Sequence, residues 1–221
     1  MCDKSAKVIR ARNLWAVFVV TTMISGAGHA QHQGYRPVAD LPGFKKQFAA
    51  ESAKVSSIES SFTQEKVLTA LTEKITSTGK FWFKRSNRVR IEYIKPYTYT
   101  MIMNGDKMLF RDDQKENRVN VRSNKLFQQI NQIMIDCVQG TVLDSKDFNV
   151  GVFEDERTYL LEMVPTSRSL REFFSTIVLK VDKKDFTAAS IEMNEKTGDS
   201  TTIHFKDKKL NTQFSDAVFA F

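Results

Sequence analysis

Residues 88–112 read RVRIEYIKPYTYTMIMNGDKMLFRD, and apolar side chains alternate with polar ones along much of this stretch. Val89, Ile91 and Tyr93 fall on one face of an extended strand, because successive side chains of a strand point to opposite faces. The Asn-Gly-Asp tripeptide at 104–106 joins two such runs and favours the positive φ angles of a tight turn. The stretch therefore predicts a β-hairpin within an antiparallel sheet.

The two-residue period continues on both sides of this hairpin. Short strands separated by charged turns indicate a large antiparallel sheet or barrel. No internal repeat or low-complexity linker divides the chain, so one domain is expected over residues 41–221. We predict strands at 58–70, 75–85, 88–94, 97–104, 107–113, 118–121, 148–154, 157–165, 175–182, 188–195 and 200–206, and a last one in the terminal AVFAF.

Two segments follow the helical period instead. Residues 41–57 space their apolar side chains for one helix face, and residues 124–138 do so more regularly. Gly140 is a suitable stop signal for the second helix. The fold class predicted from these patterns is mainly β with helices. The apolar face of the second helix consists of Leu126, Phe127, Ile130, Ile133, Met134, Cys137 and Val138.

The first 30 residues have the organisation of a secretory signal peptide. Four basic residues precede the apolar run LWAVFVVTTMI at 14–24, and Gly28-His29-Ala30 resembles a cleavage site. The run is shorter than the roughly 20 residues that a bilayer span needs. We therefore expect cleavage after Ala30 rather than a retained anchor. Residues 31–40 lack an apolar period and predict a flexible leader.

The two cysteines predict a chain without disulfides. Cys2 precedes the apolar run, whereas the cysteine of a lipoprotein signal stands at the cleavage site, so the mature chain is not expected to be lipidated. Cleavage after Ala30 leaves Cys137 as the one thiol, which excludes an intramolecular disulfide. On the apolar face of a helix, Cys137 is predicted to act as a small core residue.

Charge and motifs argue against nucleic-acid binding and against catalysis. The formal net charge of +7 falls by three when the signal peptide is removed, and the remaining bases are interspersed with acids, as at 180–185 and 206–209. The mature chain keeps His32 and His204 but has no nucleophile elbow, Walker loop, C-x-x-C or H-E-x-x-H motif. We predict no nucleic-acid partner, catalytic residue, metal or cofactor. A hydrolase built from distant carboxylates is the alternative.

The apolar composition favours a binding protein. The chain has 17 phenylalanines and eight methionines, a large apolar supply for its size. Most of these side chains are expected in the core, and some of them could line a cavity. Apolar ligands commonly bind in concave sites lined by hydrophobic side chains, and a sheet with covering helices can form one.

Several motifs occur in the order found in one known family. Phe62 and Gln64 form an F-x-Q step, GKFWFKR follows at 79–85, and the NGDKMLF hairpin comes at 104–110. With the later LEMVP at 161–165 and a terminal F-x-F, this succession resembles the LolA family of periplasmic outer-membrane lipoprotein carriers. Ser86 stands where the family has proline, and the hairpin ends Phe110-Arg111-Asp112 where the family has a tyrosine.

The resemblance implies an incomplete, open antiparallel β-barrel whose concave face is covered by α-helices. It implies a monomeric periplasmic chaperone of a Gram-negative bacterium, which takes acylated lipoproteins from an inner-membrane ABC transporter to an outer-membrane receptor. It also implies that Arg85 latches the helical lid through backbone carbonyls. A carrier or sensor of another lipid or glycolipid is the alternative. The predicted lipid-binding residues are Phe62, Phe83, Val89, Ile91, Tyr93, Met101, Met103, Leu126, Phe127, Ile130, Ile133 and Met134.

Overall fold

The computed structural model describes residues 32–71, 73–85, 87–121 and 125–221, without the side chains of 125–127, 130 and 131. The predicted signal peptide at 1–30 lies outside these residues. Helices are α1 (Leu41–Ala53), α2 (Lys125–Gln139) and α3 (Arg168–Arg171). The strands are β1 (Arg36–Pro37), β2 (Ser57–Leu68), β3 (Glu73–Lys84), β4 (Arg88–Lys95), β5 (Tyr99–Asn104), β6 (Lys107–Asp112), β7 (Glu116–Asn120), β8 (Phe148–Glu154), β9 (Thr158–Pro165), β10 (Phe174–Asp182), β11 (Ala188–Glu195) and β12 (Ser200–Leu210).

All twelve strands join one antiparallel sheet in the order β1-β8-β9-β10-β11-β12-β2-β3-β4-β5-β6-β7. The longest ladder pairs β2 with β3, and β2 also pairs with β12. β2 therefore joins β3–β7 on one side of the sheet to β8–β12 on the other. β1 and β7 are the two edges, and the sheet does not close into a barrel. The predicted fold class, an open antiparallel sheet with helices on one face, is confirmed.

The predicted hairpin at 104–106 is present. Asn104 pairs with Lys107, and the two-residue connection is Gly105-Asp106. Gly105 has a φ of 60°, a conformation that glycine adopts without the steric cost of a Cβ. The turn therefore sets the register of β5 and β6, as the Asn-Gly signal predicted.

α1 and α2 cover the same face of the sheet, which we call the inner face. Asp40 caps α1, because its Oδ1 accepts a hydrogen bond of 2.9 Å from the Gly43 N–H. The helix ends at Ala53, four residues before the predicted end, because residues 57–68 pair with β3 from Ser57 onward and force the chain to become extended. Gly140 follows α2 with a φ of 72°, as expected of a helix stop.

The segment predicted as a flexible leader is anchored to the sheet where the structure describes it. Arg36 and Pro37 pair with β8, and the Tyr35 hydroxyl lies 2.6 Å from Thr158 Oγ1. Residues 32–35 follow the outer face before the chain crosses the sheet edge into α1. Backbone pairing with β8 holds this segment in place. The spacing of apolar residues gives no signal for such pairing.

The terminal AVFAF, predicted as a strand, is not one. Asp216–Phe219 form a 3₁₀ helix, and the fully buried Phe219 ring packs on Ile102 and Leu109 on the outer face. The Val218 carbonyl accepts a 3.2 Å hydrogen bond from the Arg90 guanidinium. Side-chain packing of Phe219 thus outweighs the β propensity of the sequence.

Two apolar cores lie on the inner face. One, under α1, is built on β8–β10 and contains Phe48, Leu161 and Leu179, all fully buried. The other lies on β2–β6 and contains Phe83 and Met103. Between them, α2 contributes residues to both. In the part of the chain that the structure describes, no helix has the length and hydrophobicity for a membrane crossing.

Candidate functional site

An apolar cavity of about 100 Å³ lies between the central strands and α2. Five strands supply its floor, and α2 supplies the opposite wall. Among the described residues of the wall, hydrocarbon and aromatic groups predominate, and the polar ones are Ser60, Thr187 and Lys208. The apolar lining consists of Ile58, Phe62, Phe81, Val89, Ile91, Met134, Cys137, Val138, Phe186, Ala188, Ile191, Ile203 and Phe205.

Phe62 is the buried centre of the floor. Its ring meets Tyr93 edge to face at 5.1 Å between centroids, and a Cβ built on Gly79 would lie 2.5 Å from its Cζ. Glycine is therefore required at position 79 of the neighbouring strand, since a Cβ there would also lie 2.2 Å from the Glu92 carbonyl oxygen. Burial raises the pKa of Tyr93 to about 12, and Tyr99 adds to the rise. The Tyr93 hydroxyl donates a 2.8 Å hydrogen bond to Gln64 Oε1.

α2 presents Met134, Cys137 and Val138 to the cavity. Burial, together with the adjacent Asp136 carboxylate, raises the pKa of the Cys137 thiol to about 12. The thiol is therefore protonated at neutral pH, and thiols in this form are poor nucleophiles. Cys137 belongs to the apolar wall, and the described chain offers it no disulfide partner.

The β11–β12 side of the cavity carries a charge cluster. Lys208 Nζ donates hydrogen bonds of 3.0 Å to Asp185 Oδ1 and 2.8 Å to Thr187 Oγ1. Asp182 Oδ2 lies 3.9 Å from the same ammonium. Burial alone would raise the pKa of Asp185, but the hydrogen bonds from Thr187 and Lys208 hold it below its usual value.

Arg85 binds the C-terminal end of α1. Its Nε donates to the Val55 carbonyl at 2.7 Å, and its Nη2 donates to the Ser52 carbonyl at 2.8 Å. Its backbone N–H also donates to the Ser56 carbonyl at 2.9 Å. The last carbonyls of a helix have no partner within the helix, and a cation placed there also complements the helix dipole. Arg85 thereby fixes the corner between α1 and β2.

The two helices touch where α2 ends. A Cβ built on Gly140 would lie 2.7 Å from Ser52 Oγ and 2.8 Å from the Phe48 carbonyl oxygen. The end of α2 is thus pressed against the last turns of α1, the turns that Arg85 holds. Ser52 Oγ is buried and has no hydrogen-bond partner among the described residues. Arg85 therefore binds the same turn of α1 that the end of α2 contacts.

No group of three or more metal-ligating side chains gathers among the described residues. The described cavity wall is apolar except for three residues, so it offers a polar cofactor few hydrogen-bonding groups. The arrangement is suited to binding an apolar ligand.

Residues 53–221 match the family described as Outer membrane lipoprotein carrier protein LolA. The chain belongs to the LolA family. Two proteins named outer-membrane lipoprotein carrier protein are similar to it. That of Methylococcus capsulatus is 24% identical over 168 residues, covering 74% of this chain and 76% of its own. That of Methylibium petroleiphilum is 26% identical over 199 residues, covering 90% and 89%. A crystal structure of a LolA superfamily protein from Nitrosomonas europaea has a TM-score of 0.43 at 12% identity, covering 80% of this chain and 97% of that one.

The structure of this LolA-family chain brings some of the predicted lipid-binding residues together. Phe62, Val89, Ile91 and Met134 line the cavity. Tyr93 lies beside it, against Phe62. The others lie elsewhere: Phe83, Met101 and Met103 pack in the core on β2–β6, Ile133 packs against the core under α1, and the side chains of Leu126, Phe127 and Ile130 lie outside the description.

Sequence reasoning named four of the sixteen lining residues as lipid-binding and missed the other twelve. Ile203 and Phe205 alternate with the exposed His204, so the two-residue period of β12 would have placed them on the inner face. Phe81 alternates with Trp82 in the same way on β3. Phe186 and Lys208 had no such signal, because local irregularities of the backbone direct them into the cavity.

Proposed function

We propose that this LolA-family protein is a periplasmic chaperone that binds the acyl chains of lipoproteins in the cavity and shuttles them from the inner to the outer membrane. The observation that carries the proposal is an apolar cavity beneath α2, next to the end of α1 that Arg85 ties to the sheet. The names of its relatives support lipoprotein as the cargo.

The physical need for such a cavity follows from the cost of exposing hydrocarbon. Each acyl CH₂ left in water costs about 0.8 kcal/mol, so a lipid-modified protein cannot cross an aqueous compartment with bare chains. A pocket of aromatic and aliphatic side chains removes this cost. The described wall, with only three polar residues, provides that environment.

The cavity must enlarge before it can hold a chain. At about 100 Å³ it is smaller than the roughly 150 Å³ apolar cavity in which a protein binds a single benzene. An acyl chain therefore requires α2 to move away from the sheet. We infer that the structure is the closed, unloaded state and that Arg85 is the latch that cargo must open.

A latch also makes release possible. The hydrogen bonds of Arg85 to the Ser52 and Val55 carbonyls stabilise the closed state, so they oppose loading and favour unloading. A hydrogen bond to a charged group contributes about 1.5–3 kcal/mol. An inner-membrane ABC transporter would supply the energy for loading, and an outer-membrane receptor would accept the cargo from a carrier that tends to close.

The test is to isolate the protein from periplasm and identify by mass spectrometry what it carries. Lipid-modified proteins bound to wild-type protein, and loss of outer-membrane lipoproteins on its depletion, are the expected results. A free lipid or glycolipid as the sole bound species, with lipoproteins unaffected, would favour a carrier of another lipid. Turnover of an ester panel would favour a hydrolase.

A further inference from the structure

A backbone irregularity places Lys208 in the cavity wall. Ile203 and Phe205 face the cavity, so regular alternation would put residue 207 there next. Pairing between β12 and β2 shifts between Lys206 and Lys209, and Asp207 has a φ of 52°. This β-bulge turns Asp207 away and places Lys208 on the inner face. Bulges near functional sites commonly re-aim a side chain in this way.

A second irregularity lies opposite, in the turn between β10 and β11. Phe186 has a φ of 52°, which is rare for an aromatic residue and costs about 1–3 kcal/mol in general. The conformation brings Phe186 and Thr187 to the cavity and leaves Asp185 against Lys208. Two strained positions on facing segments thus build the same end of the cavity.

The ammonium at this end is mostly shielded from solvent, because the Lys208 side chain is 13% exposed. An ammonium has three N–H donors, and within the described chain its hydrogen bonds go to two residues. These are Asp185, whose two carboxylate oxygens both lie 3.0 Å from Nζ, and Thr187. With Asp182 also nearby, the two carboxylates together exceed the single positive charge of the ammonium. A further anion would be repelled, whereas an uncharged oxygen would be a suitable third acceptor.

We propose that Lys208 hydrogen-bonds the carbonyl oxygens that join acyl chains to the head of the bound lipid. The inference rests on the proposed function and adds a ligand class, acyl esters and amides, in preference to hydrocarbon of the same length. The chains lie along the apolar wall, and the linkage oxygens lie at the Lys208 end. The cavity then selects for apolar ligands and also sets the orientation of the bound lipid.

The test compares dipalmitoylglycerol with dihexadecylglycerol, an ether that has chains of the same length but no carbonyl. Purified full-length mature protein is incubated with an equimolar mixture of the two in mixed micelles, and the bound lipids are quantified by mass spectrometry. Wild-type protein should favour the ester by about tenfold, the effect of one hydrogen bond to a charged group. Lys208→Met should lose this preference, and Lys209→Met, at the adjacent exposed lysine, should retain it.

A second variant guards against misfolding. Lys208→Met leaves the half-buried Asp185 carboxylate beside an apolar residue, so Lys208→Met/Asp185→Asn removes both charges together. Retained ester preference in both variants, or equal binding of ester and ether by wild type, would overturn the role of Lys208. Preference of wild type for sodium palmitate over dipalmitoylglycerol would overturn the choice of an uncharged oxygen. Binding of neither glycerolipid by wild type would instead count against the proposed function.

Discussion

The two halves of the inner face differ in how completely they are filled. Under α1, Phe44 and Phe48 stack on each other and pack against Leu161 and Leu179 with almost no exposed surface. Under α2, the central strands present side chains of the same kinds, yet a cavity remains. Composition therefore does not separate the two halves.

What separates them is the fit between helix and sheet. α1 lies against β8–β10 with large aromatic rings, whereas α2 faces the central strands with Met134, Cys137 and Val138, whose side chains are thinner. The α1 half is a core that holds the fold. On the proposed function, the α2 half gives up contacts during loading while the α1 half keeps the sheet folded.

The largest expected effect is a difference in stability loss when a phenylalanine is replaced by alanine in each half. Phe48→Ala should lower the free energy of unfolding by about 3–5 kcal/mol, as expected for a fully buried ring. Phe81→Ala, at a half-buried ring in the cavity wall, should cost less than half as much. Urea unfolding monitored by circular dichroism gives both values. Equal losses would mean that both halves are packed alike.

A charge in the cavity should act on cargo more than on folding. Ile91→Glu places a carboxylate in the apolar wall, which acyl chains could bury only at high cost, so the cargo-loaded fraction should fall at least tenfold. Ile94→Glu is the control, because Ile94 lies on the same strand and is 44% exposed. The measurement is the cargo bound per purified protein. Normal cargo loading by Ile91→Glu would show that this wall of the cavity does not bind cargo.

The latch can be tested through a reporter already in the wall. Arg85→Leu removes the hydrogen bonds to the end of α1, so the open population should rise about tenfold. The neutral, half-buried Cys137 thiol should then react with a maleimide about tenfold faster at pH 7. The labelling rate of the purified mature chain is measured under conditions that preserve the fold.

Arg168→Leu is the matched control, because the Arg168 side chain is 90% exposed. Arg85→Leu should also hold cargo and fail to transfer it to acceptor membranes, while Arg85→Lys should be partly defective, since an ammonium cannot form the planar fork of a guanidinium. Wild-type labelling and wild-type transfer in Arg85→Leu would end the latch assignment.

The smallest effect concerns the contact between the helices. Ser52→Ala removes a buried hydroxyl that has no hydrogen-bond partner among the described residues, and alanine favours the helix more than serine does. The free energy of unfolding should stay unchanged or rise by up to about 1 kcal/mol. Differential scanning calorimetry is sensitive enough for this comparison. A loss of stability would show that the hydroxyl is bonded in solution.

Sequence predicted the fold well because strand periodicity is local. The alternation around Val89 and Ile91 placed both in the cavity wall, and the helical period did the same for Met134. Phe83 has the same period as Phe81 but packs in the core, since periodicity identifies a face and not what fills the space above it. A bulge that exchanges the roles of residues 207 and 208 depends on pairing across strands, so no local pattern could reveal Lys208.

The unfilled cavity between the sheet and α2 also affects the stability of the protein against unfolding and proteolysis. At about 24 cal/mol per Å³, a cavity of about 100 Å³ forgoes about 2 kcal/mol of stability. A ligand that binds the folded state alone raises its stability by mass action. On the proposed function, the idle carrier is the form most exposed to unfolding and proteolysis. Its abundance would then follow the supply of cargo, with no separate regulator needed.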